Sequence, residues 1–358
     1  MRKEDEMNKT EEILQILRNE LQRGVYAQGA LFASEPKLVK RFSVSRITIN
    51  KITEQLVREG YLQRGSKGSG TRVLNTAPYP LGSIAYLGPY QNPYYDLLQF
   101  EIQKNAMERG YAVNAFYQGS YSINQCLEMI ARNRYLGLIC CGIGMVPENF
   151  PLPVVYVDQP VPDDSIPRCS VCINDYETAF AVIDDICRKG HREIAVLSNY
   201  SYIEYNRQRR QRGFLDAMVK NGIPHPENRI FSDPVNNVFE AKMFWKKLLT
   251  AYPETTVLVT DSNMPAWRLH AANLEQKKPN KVIITGFSSS PMQDKLYHFP
   301  SVDQHPDQLA SCAITELLYN AEHPDKPHLD ETIVPASLVN FDRIPVNPTA
   351  VPKSRRKG

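Results

Sequence analysis

From residue 83 to residue 285 short apolar runs alternate with longer amphipathic ones, and this alternation limits the possible fold more than any other feature of the chain. Residues 83–87, 111–117, 136–140, 154–157, 194–197, 257–260 and 282–285 read as strands. The helical stretches among them end at about residue 109 or cover 176–188, 211–221 and 239–251. Strand, helix, strand at this regularity predicts an α/β fold with parallel sheets. Ligands of such sheets sit beyond the carboxyl ends of the strands. The residues to inspect are therefore 91–95, 158–159, 174–175, 199–210, 261 and 288–290.

Those segments bring Tyr94, Tyr95, Asp158, Arg210 and Asp261 forward as candidate small-molecule ligands. Aromatic faces with paired donors and acceptors suit a polyhydroxylated or otherwise polar molecule. The open alternatives are that Arg210 and Asp261 pair with each other and that the tyrosines simply pack. The chain contains no G-x-S-x-G, P-loop, H-E-x-x-H or post-strand G-x-G-x-x-G. No catalytic residue, cofactor or metal site is expected; Asp158 and Asp261 as a glycosidase pair lack any companion motif. His191 reads as a residue that closes a turn.

At 358 residues the chain has room for two or three domains. With 42% hydrophobic and 23% charged residues it can bury a sizeable core. No apolar window is long enough to span a bilayer, so no membrane partner is expected. The start, MRKEDEMNKTEE, lacks the apolar stretch of an export signal, and a cytoplasmic location follows. Seven cysteines, an odd number, then read as reduced thiols. Cys169 and Cys172 have CxxC spacing but lie in an alternating, strand-like run and read as core residues.

Charge is uneven. Residues 1–73 carry a net +5, and the remainder −2. Ile13, Leu17 and Leu21 mark an amphipathic helix over 9–23. Ser34 is positioned to cap a short helix to residue 42, and Ser45 a longer one to residue 59 whose buried stripe is Ile49, Ile52, Leu56 and Val57. Two helices with a tight turn between them make helix-turn-helix geometry. Two short strands around the loop 65–70 then form a wing. A recognition helix enters the major groove by its N-terminal end, which here presents Ser45, Arg46, Thr48, Asn50 and Lys51. Arg46 could contact guanine and Asn50 adenine, while Ser45 and Thr48 suit phosphate. Lys67 and Gly68 belong to the wing tip. Double-stranded DNA is the expected partner.

Residues 9–73 resemble the winged helix-turn-helix of GntR-family regulators through Ser34-Glu35, 42–48 (FSVSRIT), 56–61 (LVREGY) and 68–71 (GSGT). Where that family usually has Leu-Pro this chain has Phe32-Ala33, and Pro36 and Asn50 stand where arginine is common. The body, 82–343, resembles LacI-family regulators, which share the two-lobed fold of periplasmic binding proteins. The segments 110–113 (GYAV), 153–158 (PVVYVD), 190–195 (GHREIA) and Arg210-x-x-Gly213-Phe214 carry that likeness, as does Thr260-Asp261. Ser288 replaces the usual Asp after Gly286-Phe287, and Pro265 interrupts an expected helix. A GntR-type head on such a body is similar to the arabinose-responsive repressors. The resemblance implies a winged helix-turn-helix domain at 1–73, a linker at 74–81, a two-lobed domain at 82–343 and a disordered basic tail at 344–358. Lobe one would hold 82–159 and 290–320, lobe two 160–289 and 321–343. It also implies a homodimeric, sugar-responsive repressor that binds operator DNA. The rival is a binding protein or carbohydrate enzyme whose head serves only dimerisation.

Overall fold

The computed structural model describes residues 2–66, 69–76, 80–117, 121–159, 167–198, 205–288 and 298–347. Contacts divide the chain into two compact units, 1–83 with 106–112, and 84–105 with 113–358.

The first unit is built on helices α1 (Arg2–Gln22), α2 (Glu35–Phe42) and α3 (Arg46–Arg58) and strands β1 (Leu62–Arg64) and β2 (Thr71–Val73). Ile13, Leu17 and Leu21 of α1 bury with Leu38 of α2 and Ile49, Ile52 and Leu56 of α3. Val57 is only partly covered. Ser43 closes α2 in the left-handed region at φ 52°, which turns the chain sharply enough for the N-cap of α3, Ser45, to follow two residues later. Ser45 caps α3 by accepting from the Thr48 N–H at 3.1 Å. Ser34 sits at the start of α2 but makes no side-chain cap bond. Gly60, at φ 79°, ends α3. β1 and β2 pair antiparallel, Leu62 opposite Val73.

The second unit contains two parallel sheets. The first has six strands in the order β13-β7-β6-β5-β3-β4. They are β3 (Gly82–Gly88), β4 (Tyr111–Tyr117), β5 (Leu138–Cys141), β6 (Val154–Val157), β7 (Ser170–Ile173) and β13 (Glu331–Val334). The second runs β11-β10-β8-β9, from β8 (Ile194–Leu197), β9 (Ile230–Phe231), β10 (Val257–Thr260) and β11 (Ile283–Thr285). β8, β9, β10 and β11 are mutually parallel, so their carboxyl ends share one edge. Helices α4 (Pro93–Glu108), α5 (Ile123–Ala131) and α10 (Pro306–Glu322) accompany the first sheet. Helices α6 (Asp175–Arg188), α7 (Tyr205–Lys220), α8 (Val238–Ala251) and α9 (Asn263–Leu274) accompany the second. β12 (Ser301–Asp303) pairs antiparallel with β14 (Ser337–Val339). Among the described residues no helix is long and apolar enough to cross a membrane.

Three expectations change. β7 and β13 both lie in the six-stranded sheet, although 160–289 and 321–343 were assigned to lobe two. Conversely Val302, within the 290–320 assigned to lobe one, buries in the core of the second sheet with Phe341 and Ile344. The chain changes sheet right after β7, around residue 304 and between β13 and β14, and short apolar strands carry no mark of which sheet they join. Second, the tail does not begin at 344. Ile344 is buried, Asn347 N donates to the Lys189 carbonyl at 2.8 Å, and the Pro345 carbonyl lies 2.9 Å from His191 Nε2. His191 also meets Thr256 Oγ1 through Nδ1 at 2.9 Å, so it ties chain segments together. Residues 348–358 lie outside the described ones. Third, Pro265 falls in the first turn of α9, where a missing N–H leaves no bond unmade.

Cys169 and Cys172 are buried free thiols at β7. Burial pushes the Cys169 thiol up to about 12, which keeps it a protonated, unreactive core residue.

Candidate nucleic-acid interface and effector cleft

The N-terminal half of α3 presents Ser45, Arg46 and Lys51 to solvent, with Thr48 and Asn50 half-buried beside them. The Arg46 side chain is 81% exposed, and its Nε donates to Glu35 Oε2 at 3.0 Å. That pair is weak in water and easily exchanged for a stronger anion. Ser45 and Thr48 share a hydroxyl–hydroxyl bond of 2.8 Å, so the cap already uses part of their capacity. Asn50 Oδ1 accepts from Arg64 of β1 at 2.6 Å. Reading adenine with both amide atoms would require Arg64 to let go. Ile47, 72% exposed between Arg46 and Thr48, was missed in the sequence. An apolar side chain on a solvated helix face is the signal that could have found it, since thymine offers a methyl group. Lys67 and Gly68 lie outside the described residues.

In the second unit a cavity of about 310 Å³ takes its walls from both parallel sheets. The first sheet contributes residues 91–95, after β3, and Asp158, after β6; the second contributes the last residue of β8 and residues that follow β9, β10 and β11. The size falls within the usual range of small-molecule sites.

Arg210 of α7 is the centre of this cleft and only 3% exposed. Its Nε donates to Asp175 Oδ1 at 2.6 Å, Nη1 to the Asp261 carbonyl at 3.1 Å and Nη2 to Gln304 Oε1 at 3.3 Å. Nη2 also stands 3.7 Å from Asp158 Oδ1, and the guanidinium lies 4.1 Å over the Phe287 ring. Arg210 and Asp261 do not form the carboxylate pair weighed above. Arg210 meets the Asp261 backbone, while the Asp261 carboxylate accepts from Ser198 Oγ at 3.0 Å. The tyrosines join the network instead of merely packing: Tyr94 donates to Gln304 Oε1 at 3.3 Å and Tyr95 to Asp158 Oδ2 at 3.2 Å. Gln304 in turn donates to Ser288. Thus all five expected residues meet in one place. Asp175 and Gln304 complete it; Asp175 stood among the post-strand residues, whereas nothing near Gln304 in sequence marked it.

Asp158 and Asp175 each keep one buried carboxylate oxygen without a hydrogen bond. In Asp158 that atom is Oδ1, and the residue is buried and adopts φ 51°. A left-handed non-glycine held in a cleft is a form of stored strain often found at binding sites. Burial pushes the Asp158 carboxyl up to about 7, Arg210 works against that rise, and the nearby Asp175 adds to it. The Asp175 carboxyl is raised as well, by burial, with Arg210 opposing. Burial disfavours the Arg210 charge, but the two acids prevail and hold it charged. The floor of the cleft is therefore a set of buried oxygen acceptors around one saturated cation. Such a set suits a ligand rich in hydroxyl donors better than an anion.

At the other end of the cavity Arg268 of α9 donates to the Val235 carbonyl at 2.8 Å, and Lys247 of α8 holds Asp233 at 2.7 Å. Trp267 and Asn236 line the same end, and the sequence reading missed them. The described part of the 199–210 segment adds Asn206, whose Nδ2 donates to the Asp158 carbonyl at 3.4 Å; residues 199–204, 289 and 290 lie outside the described ones.

A model of bacterial regulatory proteins of the gntR family matches residues 9–73, and a model of a periplasmic binding protein-like domain matches 183–340. The chain is similar to the uncharacterized HTH-type transcriptional regulator YurK of Bacillus subtilis, 40% identical over 62 residues, 17% of this chain and 25% of that one. It is also similar to the arabinose metabolism transcriptional repressor of Halalkalibacterium halodurans, 25% identical over 235 residues, 59% of this chain and 60% of that one. The chain thus spans about a quarter and three fifths of the curated relatives it matches. A LacI family transcriptional regulator from Enterococcus faecium with bound ribose shares the fold at TM-score 0.60 and 19% identity, over 72% of this chain and 96% of that one. Residues 9–73 thus match the gntR family of bacterial regulatory proteins, and residues 183–340 match a periplasmic binding protein-like domain.

Proposed function

We propose that the protein is a ligand-responsive transcription regulator, a repressor whose hold on operator DNA changes when a sugar occupies the cleft of the body. The observation that carries this reading is the buried network in which Arg210 meets Asp158 and Asp175, which follow strands of the six-stranded sheet, and the Asp261 carbonyl, which follows a strand of the four-stranded one. A ligand seated there touches both lobes at once. It stabilises one lobe arrangement over another by whatever difference in contact the two provide, and by that amount only. The arabinose repressor and the ribose-bound regulator among its relatives support a sugar as the class to try first.

The α3 face supplies the DNA contact: Arg46 toward guanine, Ile47 toward a thymine methyl, Ser45, Thr48 and Lys51 toward phosphate, and Asn50 toward adenine once Arg64 yields. Lys67 and Gly68 of the wing serve the adjoining backbone. One head covers one half-site, too little for the affinity of a specific regulator, so the working form is a homodimer on a palindrome. Ligand closure then changes the spacing of two heads, which is how a cleft can alter operator affinity. A thermal-shift series with arabinose, ribose, glucose and galactose tests the sensor half of the reading. The expected result is a rise in melting temperature with at least one sugar, lost in Asp158→Ala. No rise with any sugar at millimolar concentration contradicts it.

A further inference from the structure

We propose that the effector is an extended neutral sugar of two linked rings, not a monosaccharide; this rests on the sugar-sensor reading above. In the four-stranded sheet the order is β11-β10-β8-β9, all parallel, and the cavity touches the carboxyl end of every one of these strands or the residues just after it. Ser288 follows β11, Asp261 follows β10, Leu197 ends β8, and Asp233 follows β9. Neighbouring strands lie about 4.8 Å apart, so the trench floor runs about 14 Å from end to end. A single pyranose ring does not cover that length, and the cavity of about 310 Å³ is more than one ring fills.

The polar groups divide in the same way. The network around Arg210 and Asp158 serves the β11–β10 end. Toward the β9 end the network continues only through Ser198, whose carbonyl accepts from Ser232 Oγ at 3.1 Å among the described residues; there Arg268 fastens the Val235 carbonyl and Lys247 fastens Asp233. Those bonds fix the wall and leave the space in front of it open. Trp267, next to Arg268 in α9, lines the cavity, and an indole ring is a surface that C–H groups of a sugar favour. Asp233 is already matched by Lys247, so a phosphate or carboxylate on the second ring would find no waiting partner in that pair, while the Arg268 guanidinium, held by a carbonyl, can donate to a ring hydroxyl. A monosaccharide held by Asp158 would leave Trp267 facing water.

The test is calorimetric titration of the full chain with glucose, galactose and arabinose, and with cellobiose, maltose, lactose and melibiose. At least one disaccharide should bind about tenfold or more tightly than either of its component sugars. Trp267→Ala should cut that margin to about threefold or less while leaving component-sugar affinity unchanged. Asn236→Ala, at an exposed position, should narrow it with no change in melting temperature, and Trp267→Phe, which keeps a ring, should retain most of it. Component sugars that bind as tightly as every disaccharide overturn the proposal and leave the sensor reading standing. A disaccharide margin that survives both Trp267→Ala and Asn236→Ala also overturns it. No binding by any sugar overturns the sensor reading for sugars, and this proposal with it.

Discussion

Arg46 and Arg210 are the same side chain put to opposite uses. Arg46 stands 81% exposed at the start of α3 with one acidic neighbour, whereas Arg210 is 3% exposed and meets two carboxylates, a carbonyl, an amide and a ring. A polyanion brings its own charge density and displaces counterions, so a solvated arginine suffices to meet it. A small neutral ligand brings neither, and recognition depends on polar groups already stripped of water and fixed in place. The head can therefore be changed residue by residue with local effect, while the cleft behaves as a unit.

The largest expected effect follows from that contrast. Arg210→Ala leaves Asp158 and Asp175 buried without their cation, and breaking such a group costs about 3–5 kcal/mol. The body should melt at a markedly lower temperature and lose its ligand response, read by calorimetry on the same sample. Arg46→Ala should leave the melting curve within error and remove about 1–3 kcal/mol of preference for operator over random DNA. If Arg46→Ala lowers the melting temperature as much as Arg210→Ala, the contrast between the two regions is wrong.

Asp158 sharpens the comparison through pH. Its folded carboxyl titrates near 7 and its unfolded one near 4, so the fold favours the protonated form. The stability it contributes is present at low pH and is lost as pH rises from about 4 through 7. Wild type should therefore lose more stability than Asp158→Asn between pH 5 and pH 8. A sugar that donates hydroxyl hydrogens to Asp158 favours the ionised form, so its affinity should rise with pH, by up to about tenfold from pH 6 to pH 8. Asp158→Asn should flatten that rise; an unchanged pH profile in the variant would assign the effect elsewhere.

The smallest effect concerns Glu35. Its ion pair with Arg46 is exposed and is worth about 1 kcal/mol or less. Glu35→Gln should change head stability very little and should tighten DNA binding about twofold to threefold, because a competing anion is gone. Weaker binding in this variant would mean that Glu35 positions Arg46 for the groove.

The head was largely legible in the sequence because its signals are local. Ser45 caps, Ile49, Ile52 and Leu56 repeat at helical spacing, and Gly60 stops the helix four residues after the stripe ends. What escaped was Ile47, since an inspection of groove-facing polar groups passes over an apolar one. The cleft was legible only in outline. Post-strand positions led to Tyr94, Tyr95, Asp158, Arg210 and Asp261, but Gln304 meets Tyr94 across 210 positions of sequence. Nothing in the local pattern could show that, nor that β13 returns to the six-stranded sheet while Val302 and Ile344 bury beside the other. These are decisions of long-range packing. The buried Ile344 makes the same point, because the chain from 344 onward was expected to be a tail although this side chain closes a core.

The most direct test of the account is an anisotropy titration of the full chain against the DNA upstream of its own coding sequence. It should be run across a salt series with and without the sugar that most raises the melting temperature. Binding should weaken along a straight line of log affinity against log salt. Saturating sugar should then displace that line by about five- to 150-fold, the usual range for coupled sites. Identical lines with and without bound sugar would contradict the account, because head and cleft would then be two sites with no energetic link.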